Sequence, residues 1–123
     1  MTAPILVIES EPAIHEVMRV ILERHGYAVE GAFTAAQADA RLDHQLPGAV
    51  LVNMELTDAD GLDLCRSIRA RRPEAQLPIL VLCGRCRRGD HDRARLAGAD
   101  AFQTLPFEER AALAWLEQHI PLD

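Results

Sequence analysis

Two hydrophobic textures alternate along the chain. PILVI (4–8), AVLVN (49–53) and PILVLC (78–83) are short, continuous apolar runs that carry β-branched residues. Strands buried on both faces have that pattern. YAVEGA (27–32) and DAFQT (100–104) are weaker runs and predict shorter or edge strands. Helical patterns lie between. Ile14, Val17, Met18, Ile21 and Leu22 recur at helical spacing, with Pro12 tolerated in the first turn and Gly26 as the stop. Thr34 and Gln37 have the spacing of a capping box, which starts a second helix ending near Pro47-Gly48. Asp60 is placed to cap a third helix, with Leu62, Cys65 and Ile68 inward and a stop before Pro73. Residues 88–97 predict a fourth helix, poor in large apolar residues: only Leu96, with Ala94 and Ala97. Pro106 is expected to open a fifth, with Leu113, Leu116 and Ile120 inward.

Five βα units in succession predict a parallel sheet with helices on both faces. Function in such folds gathers at the carboxyl ends of the strands. The residues at or just past those ends are Glu9, Ser10, Asn53, Cys83 and Leu105.

Length and composition narrow the picture. The 123 residues suit one domain, 1–123, and 49% hydrophobic with 26% charged residues is ordinary for a soluble globular protein. A net charge of −6 argues against an overall nucleic-acid footprint. No apolar stretch approaches the roughly 20 residues of a membrane span. MTAPILVIESEP lacks a basic n-region, which argues against a signal peptide and for the cytoplasm. Three cysteines, an odd number, do not suggest a disulfide framework.

Four segments, in order and spanning nearly the whole chain, resemble a response-regulator receiver domain. ILVIESEP (5–12) is similar to that family's first strand and acidic turn, and LVNMELTDADGLDLCRSIR (51–69) to its phosphoacceptor strand, loop and helix. PILVLCG (78–84) is similar to the fourth strand, and GADAFQTLPF (98–107) to the fifth strand and its lysine-proline turn. The resemblance implies a doubly wound (βα)5, flavodoxin-like three-layer sandwich: a five-stranded parallel sheet in the order 2-1-3-4-5. It also implies a cis Leu105–Pro106 peptide.

The family's chemistry uses two acids after the first strand to hold Mg²⁺, an acceptor aspartate after the third, a Ser or Thr after the fourth, and a lysine before the last proline. By position these are Glu9 and Ser10, Asn53, Cys83 and Leu105. An amide is not a carboxylate nucleophile, so Asn53 cannot form an acyl phosphate. Mg²⁺ is usually bound through one or two carboxylates in octahedral geometry. Glu9, even with Glu11, makes a thin site, so weak or absent Mg²⁺ binding is expected. Cys83 offers a weak thiol donor in place of a hydroxyl. The substitutions agree with one another. A buried lysine stripped of its acidic partners costs several kcal/mol, whereas burying a leucine gains roughly 1.5–3 kcal/mol. The reading is a phosphorylation-independent receiver that acts through protein contacts and is not an enzyme.

A second reading stays open. Cys83-Gly84-Arg85-Cys86 is a C-x-x-C after a strand, and flanking arginines favour thiolate chemistry, so the pair is a candidate thiol redox switch. Under the main reading both cysteines are expected as free thiols, Cys83 buried and Cys86 exposed. A zinc site adding His91 lacks a convincing fourth ligand. Arg85, Arg87, Arg88, Arg93 and Arg95 cluster around the fourth helix, and Arg66, Arg69, Arg71 and Arg72 on the third. Such runs usually mean a solvated face. The functional alternative is a surface for an acidic signalling partner or a homodimer, formed by the fourth helix, fifth strand and fifth helix. Arg87, Arg88, Arg95, Phe102 and Trp115 are its candidate residues. Phe102 matches the family's switch aromatic, and an inward, core-like ring is expected. No catalytic role is read into His15, His25, His44, His91 or His119, which are expected mostly on polar faces.

Overall fold

A computed structural model describes residues 3–122. Strands β1 (Ile5–Ile8), β2 (Val29–Ala32), β3 (Ala49–Asn53), β4 (Ile79–Cys83) and β5 (Ala101–Thr104) form one sheet in the order β2-β1-β3-β4-β5. Every pairing is parallel, with Ile8 opposite Ala32 and Val52, Asn53 opposite Leu82, and Cys83 opposite Thr104. Helices α1 (Pro12–Arg24), α2 (Ala35–His44), α3 (Gly61–Arg71), α4 (Asp90–Leu96) and α5 (Glu109–His119) follow the strands in turn. The fold is the expected flavodoxin-like one.

The apolar runs feed two cores because successive strand side chains point to opposite faces. Leu6, Ile8, Val50, Val52, Ile79 and Val81 face α2, α3 and α4. Ile5, Val7, Ala49, Leu51, Leu80 and Leu82 face α1 and α5, where Met18, Leu22 and Leu116 meet them. Helix starts follow local chemistry. The Thr34 hydroxyl accepts from Gln37 N at 3.1 Å, and the Asp60 carboxylate accepts from Leu62 N at 2.7 Å. Far from the carboxyl ends, Arg69 ties α3 to the loops before β4 and β5. Its guanidinium donates to Leu77 O at 2.6 Å and Gly98 O at 2.7 Å, and pairs with Asp100 at 3.0 Å.

Several expectations need correction. In α1 the inward set is His15, Met18 and Leu22, while Val17 is 53% exposed. The ring of His15 stacks on Phe33 at 4.4 Å, so an imidazole fills a place assigned to an aliphatic side chain. Helix α4 is shorter than 88–97, because Gly89 adopts φ +90° and starts it at Asp90. Its buried face is Asp90 and Ala94, and Leu96 points outward at 80% exposure. Pro106 does not open α5. That helix begins at Glu109, with the Glu108 carboxylate accepting from Arg110 N at 3.3 Å, and Pro106 lies in the preceding turn. The Leu105–Pro106 peptide is cis, as the resemblance implied. Among the described residues no helix is long and apolar enough to cross a membrane.

Candidate functional site

The sheet order reverses between β1 and β3, and their carboxyl ends flank a crevice there. A cavity of about 450 Å³ opens at this place, lined by Glu9, Ser10, Asn53, Thr57, Arg85 and Leu105 among others. Four of the five strand-end positions, Glu9, Ser10, Asn53 and Leu105, are thus brought together. Cys83 does not line the cavity; Gly84 takes its place there.

Glu9 and Asn53 are buried. Asn53 Nδ2 donates to Glu9 Oε1 at 2.7 Å, and Glu11 N donates to Glu9 Oε2 at 3.0 Å. Asn53 Oδ1 accepts from Glu55 N at 2.9 Å. The amide therefore uses each end on a group that requires that end: N–H toward a carboxylate, oxygen toward a backbone N–H. A buried carboxylate with both oxygens hydrogen-bonded avoids the heavy cost of an unsatisfied charge.

Neighbouring loops are stitched to this pair. Ser10 Oγ donates to Phe33 O at 2.6 Å and accepts from Thr57 N at 3.1 Å. The Asp58 carboxylate accepts from Ala35 N at 2.8 Å and Ala36 N at 3.1 Å, at the start of α2. Those N–H groups hold its carboxyl below the usual carboxylate range. Leu105 packs against the α1/α5 core and donates its N–H to Cys83 O at 2.8 Å.

The donor set does not fit the magnesium ion that the resemblance implies. Glu9 is the one buried carboxylate at the cavity, and both its oxygens already accept N–H groups. The Ser10 hydroxyl is turned toward the Phe33 carbonyl. Among the described residues no three His, Cys, Asp or Glu side chains converge as a metal site.

The expectation of free thiols at Cys83 and Cys86 is overturned. The structure places their sulfurs at bonding distance as a disulfide, with Cα atoms 5.6 Å apart. The physical reason is the short Gly84-Arg85 turn, which sets the Cα spacing within the ordinary disulfide range. Their exposure is as expected: Cys83 is buried at the end of β4 and Cys86 is exposed. His91 stacks on Phe102 at 5.0 Å. Cys65 is the third cysteine and is free; burial in α3 pushes its thiol up to about 12, which leaves it protonated and unreactive.

Sequence reasoning missed Asp90. Asp90 is 3% exposed; its carboxylate accepts from Arg87 N at 2.7 Å, pairs with Arg93, and lies 3.8 Å from Cys83 Sγ. The available signal was an acid directly after Gly89, where a helix dipole favours negative charge.

The arginine clusters differ. On α3, Arg66 pairs with Asp63, Arg69 with Asp100, and Arg71 and Arg72 with Asp43, so that cluster is neutralised internally. Around α4, Arg87 and Arg88 are exposed and have no ion-pair partner among the described residues, while Arg95 pairs with Asp92 at 3.2 Å. Phe102 is half-buried against the α2/α3/α4 core, so its ring is only partly inward. Trp115 packs against the opposite core. The two aromatic rings therefore pack with opposite faces of the sheet.

Residues 5–117 match the family model of the response regulator receiver domain. The phosphate regulon transcriptional regulatory protein PhoB of Rhizobium meliloti is 31% identical over 114 residues, covering 93% of this chain and 50% of that protein. The virulence transcriptional regulatory protein PhoP of Shigella flexneri is 34% identical over 113 residues, covering 92% of this chain and 50% of that protein. The chain thus spans about half the length of these curated relatives. A CheY-like response regulator receiver domain protein from Methanospirillum hungatei superposes with a TM-score of 0.87 at 26% identity, covering 96% of this chain and 93% of that one. With the sheet order, the strand-end crevice and these matches in agreement, this chain belongs to the response regulator receiver domain family of two-component signalling.

Proposed function

We propose that this chain is a phosphorylation-independent receiver domain whose output is a protein contact. The hydrogen bond from Asn53 Nδ2 to Glu9 Oε1 carries the reading. It puts an amide donor where the resemblance places a carboxylate nucleophile, and the amide is used in a hydrogen bond to Glu9 in the cavity wall. Leu105 supports the same reading by supplying an apolar wall in place of a phosphate-pairing cation. The pocket then has one resting arrangement. Incubation with acetyl phosphate and Mg²⁺ is expected to leave the intact mass unchanged; a hydroxylamine-labile phosphoryl adduct would defeat the proposal.

The contact surface is the α4–β5–α5 side, engaged by an acidic signalling partner or a second copy of the chain. Arg87 and Arg88 bring unneutralised positive charge, and Leu96 adds an exposed apolar side chain. Unpaired basic groups speed encounter with acidic surfaces and make it salt-sensitive. Reversing Arg87, Arg88 and Arg95 to glutamate should weaken pull-down of partners or self-association about tenfold or more at low salt, with the melting temperature retained. Equal association of variant and wild type, with no salt dependence, places the contact elsewhere.

A second reading is supported by the Cys83–Cys86 disulfide. The pair acts as a reversible thiol switch in the loop that leads into α4, so redox state and the contact surface are coupled through one short segment.

A further inference from the structure

The two bonded sulfurs have unlike surroundings. Cys83 is buried, whereas Cys86 is exposed in a loop with Arg85, Arg87 and Arg88 around it, all exposed. The buried Asp90 carboxylate lies 3.8 Å from Cys83 Sγ. Its charge is compensated by Arg93 and by the Arg87 N–H. A thiol must lose its proton before it attacks, and Cys83 sits where bulk water has little access.

We infer that Cys83, Cys86 and Asp90 form a dithiol–disulfide exchange site for anionic low-molecular-weight disulfides and thiols, in which Cys86 is the entry sulfur and Asp90 the base for Cys83. The inference rests on the thiol-switch reading above and assigns its chemistry. In the oxidative direction the Cys86 thiolate attacks one sulfur of a small disulfide. A mixed disulfide forms on Cys86, the small disulfide's S–S bond breaks, and one small thiolate leaves. Cys83 then passes its proton to Asp90 Oδ2 as its sulfur attacks Cys86 Sγ. The internal disulfide forms and a second small thiolate leaves, taking up the proton. The protein dithiol loses two electrons, and the small disulfide gains them as it becomes two thiols. Reduction is the reverse: an external thiolate attacks the accessible Cys86 sulfur and Cys83 departs beside Asp90. The exposed arginines draw an anionic disulfide toward Cys86.

The test uses reduced protein and glutathione disulfide, with timed alkylation and intact mass as the readout; buried Cys65 serves as the internal reference. Wild type should close its internal disulfide with little glutathione adduct. Cys83→Ser should accumulate a stable adduct on Cys86, and Cys86→Ser should stay largely unmodified at Cys83. Asp90→Asn should form the Cys86 adduct at the wild-type rate but close it about a hundredfold more slowly, the low end of what a positioned base contributes. A closing rate equal to wild type in Asp90→Asn, or an equal slowing of both steps, overturns the role of Asp90. Adduct formation at Cys83 as fast as at Cys86 overturns the entry assignment, and it is read from the cysteine variants whether or not Asp90→Asn folds. A wild-type protein that keeps both thiols overturns the thiol-switch reading itself.

Discussion

Asn53→Asp is expected to lower stability at neutral pH by about 2–4 kcal/mol and to make it pH-dependent, because it turns a buried donor–acceptor pair into two facing carboxylates. In the wild type, Asn53 Nδ2 stands 2.7 Å from Glu9 Oε1, and both side chains are buried. Two carboxylates so close cannot both ionise at ordinary cost, so the pair retains a proton and titrates as a unit. The folded variant then binds more protons than its unfolded chain at neutral pH. Stability relative to wild type is greatest below the unfolded carboxyl value of about 4, and falls as pH rises through the raised value of the folded pair. Urea denaturation of both proteins across the mildly acidic to neutral range reads this directly. A stability difference that stays constant with pH would mean that the introduced carboxylate escapes to solvent and that the Glu9 contact is dispensable. Restoring the aspartate alone is not expected to give efficient phosphotransfer, since Ser10 and Leu105 remain.

Gly61→Ala should be about as damaging, by a steric route. A Cβ on Gly61 would lie 2.2 Å from Asn53 O and 2.9 Å from Met54 Cα, which are backbone atoms that no rotamer change can move. Gly61 N also donates to Met54 O at 2.7 Å, so the start of α3 and the end of β3 are fastened together at this point. Relief requires the β3–α3 loop to shift, which costs about 3 kcal/mol or more, as overpacking of tight sites does. The melting temperature should fall by roughly 10 °C. Gly48 offers a control: its added Cβ would meet Ile120 Cδ1 at 2.8 Å, the tip of a flexible side chain that can rotate away, and its nearest backbone atom, Ala3 O, stands off at 3.3 Å. Gly48→Ala should therefore cost less. Equal melting temperatures for Gly61→Ala and wild type would show that the loop yields freely.

The layering of this protein is written in its hydrophobic pattern. The runs at 4–8, 49–53 and 78–83 are apolar at every position, so their strands must be covered on both faces, and five βα units leave a parallel sheet as the arrangement that does so. Thr34 and Asp60 announced their caps because a cap bond spans only two or three residues. The strand-end positions were legible for the same local reason: polarity changes where a strand ends. Which groups those side chains meet was decided by packing. Asn53 and Glu9 are 44 residues apart and meet only because β3 lies beside β1. Period assigned Val17 inward and left His15 on a polar face, but the facing surface at Gly31 and Phe33 accepts a flat ring, and His15 is buried there. Leu96 points to solvent because a seven-residue helix begun at Asp90 buries Asp90 and Ala94. Free thiols were expected at Cys83 and Cys86 and the structure pairs them, since C-x-x-C spacing bounds the reach of a loop without fixing its turn. The closure of that loop, and the arrival of Asp90 beside Cys83, follow from the packing of α4 against the sheet. Hydrophobic periodicity averages over a face, whereas hydrogen bonds and sulfur chemistry depend on single distances that only the packed layers set.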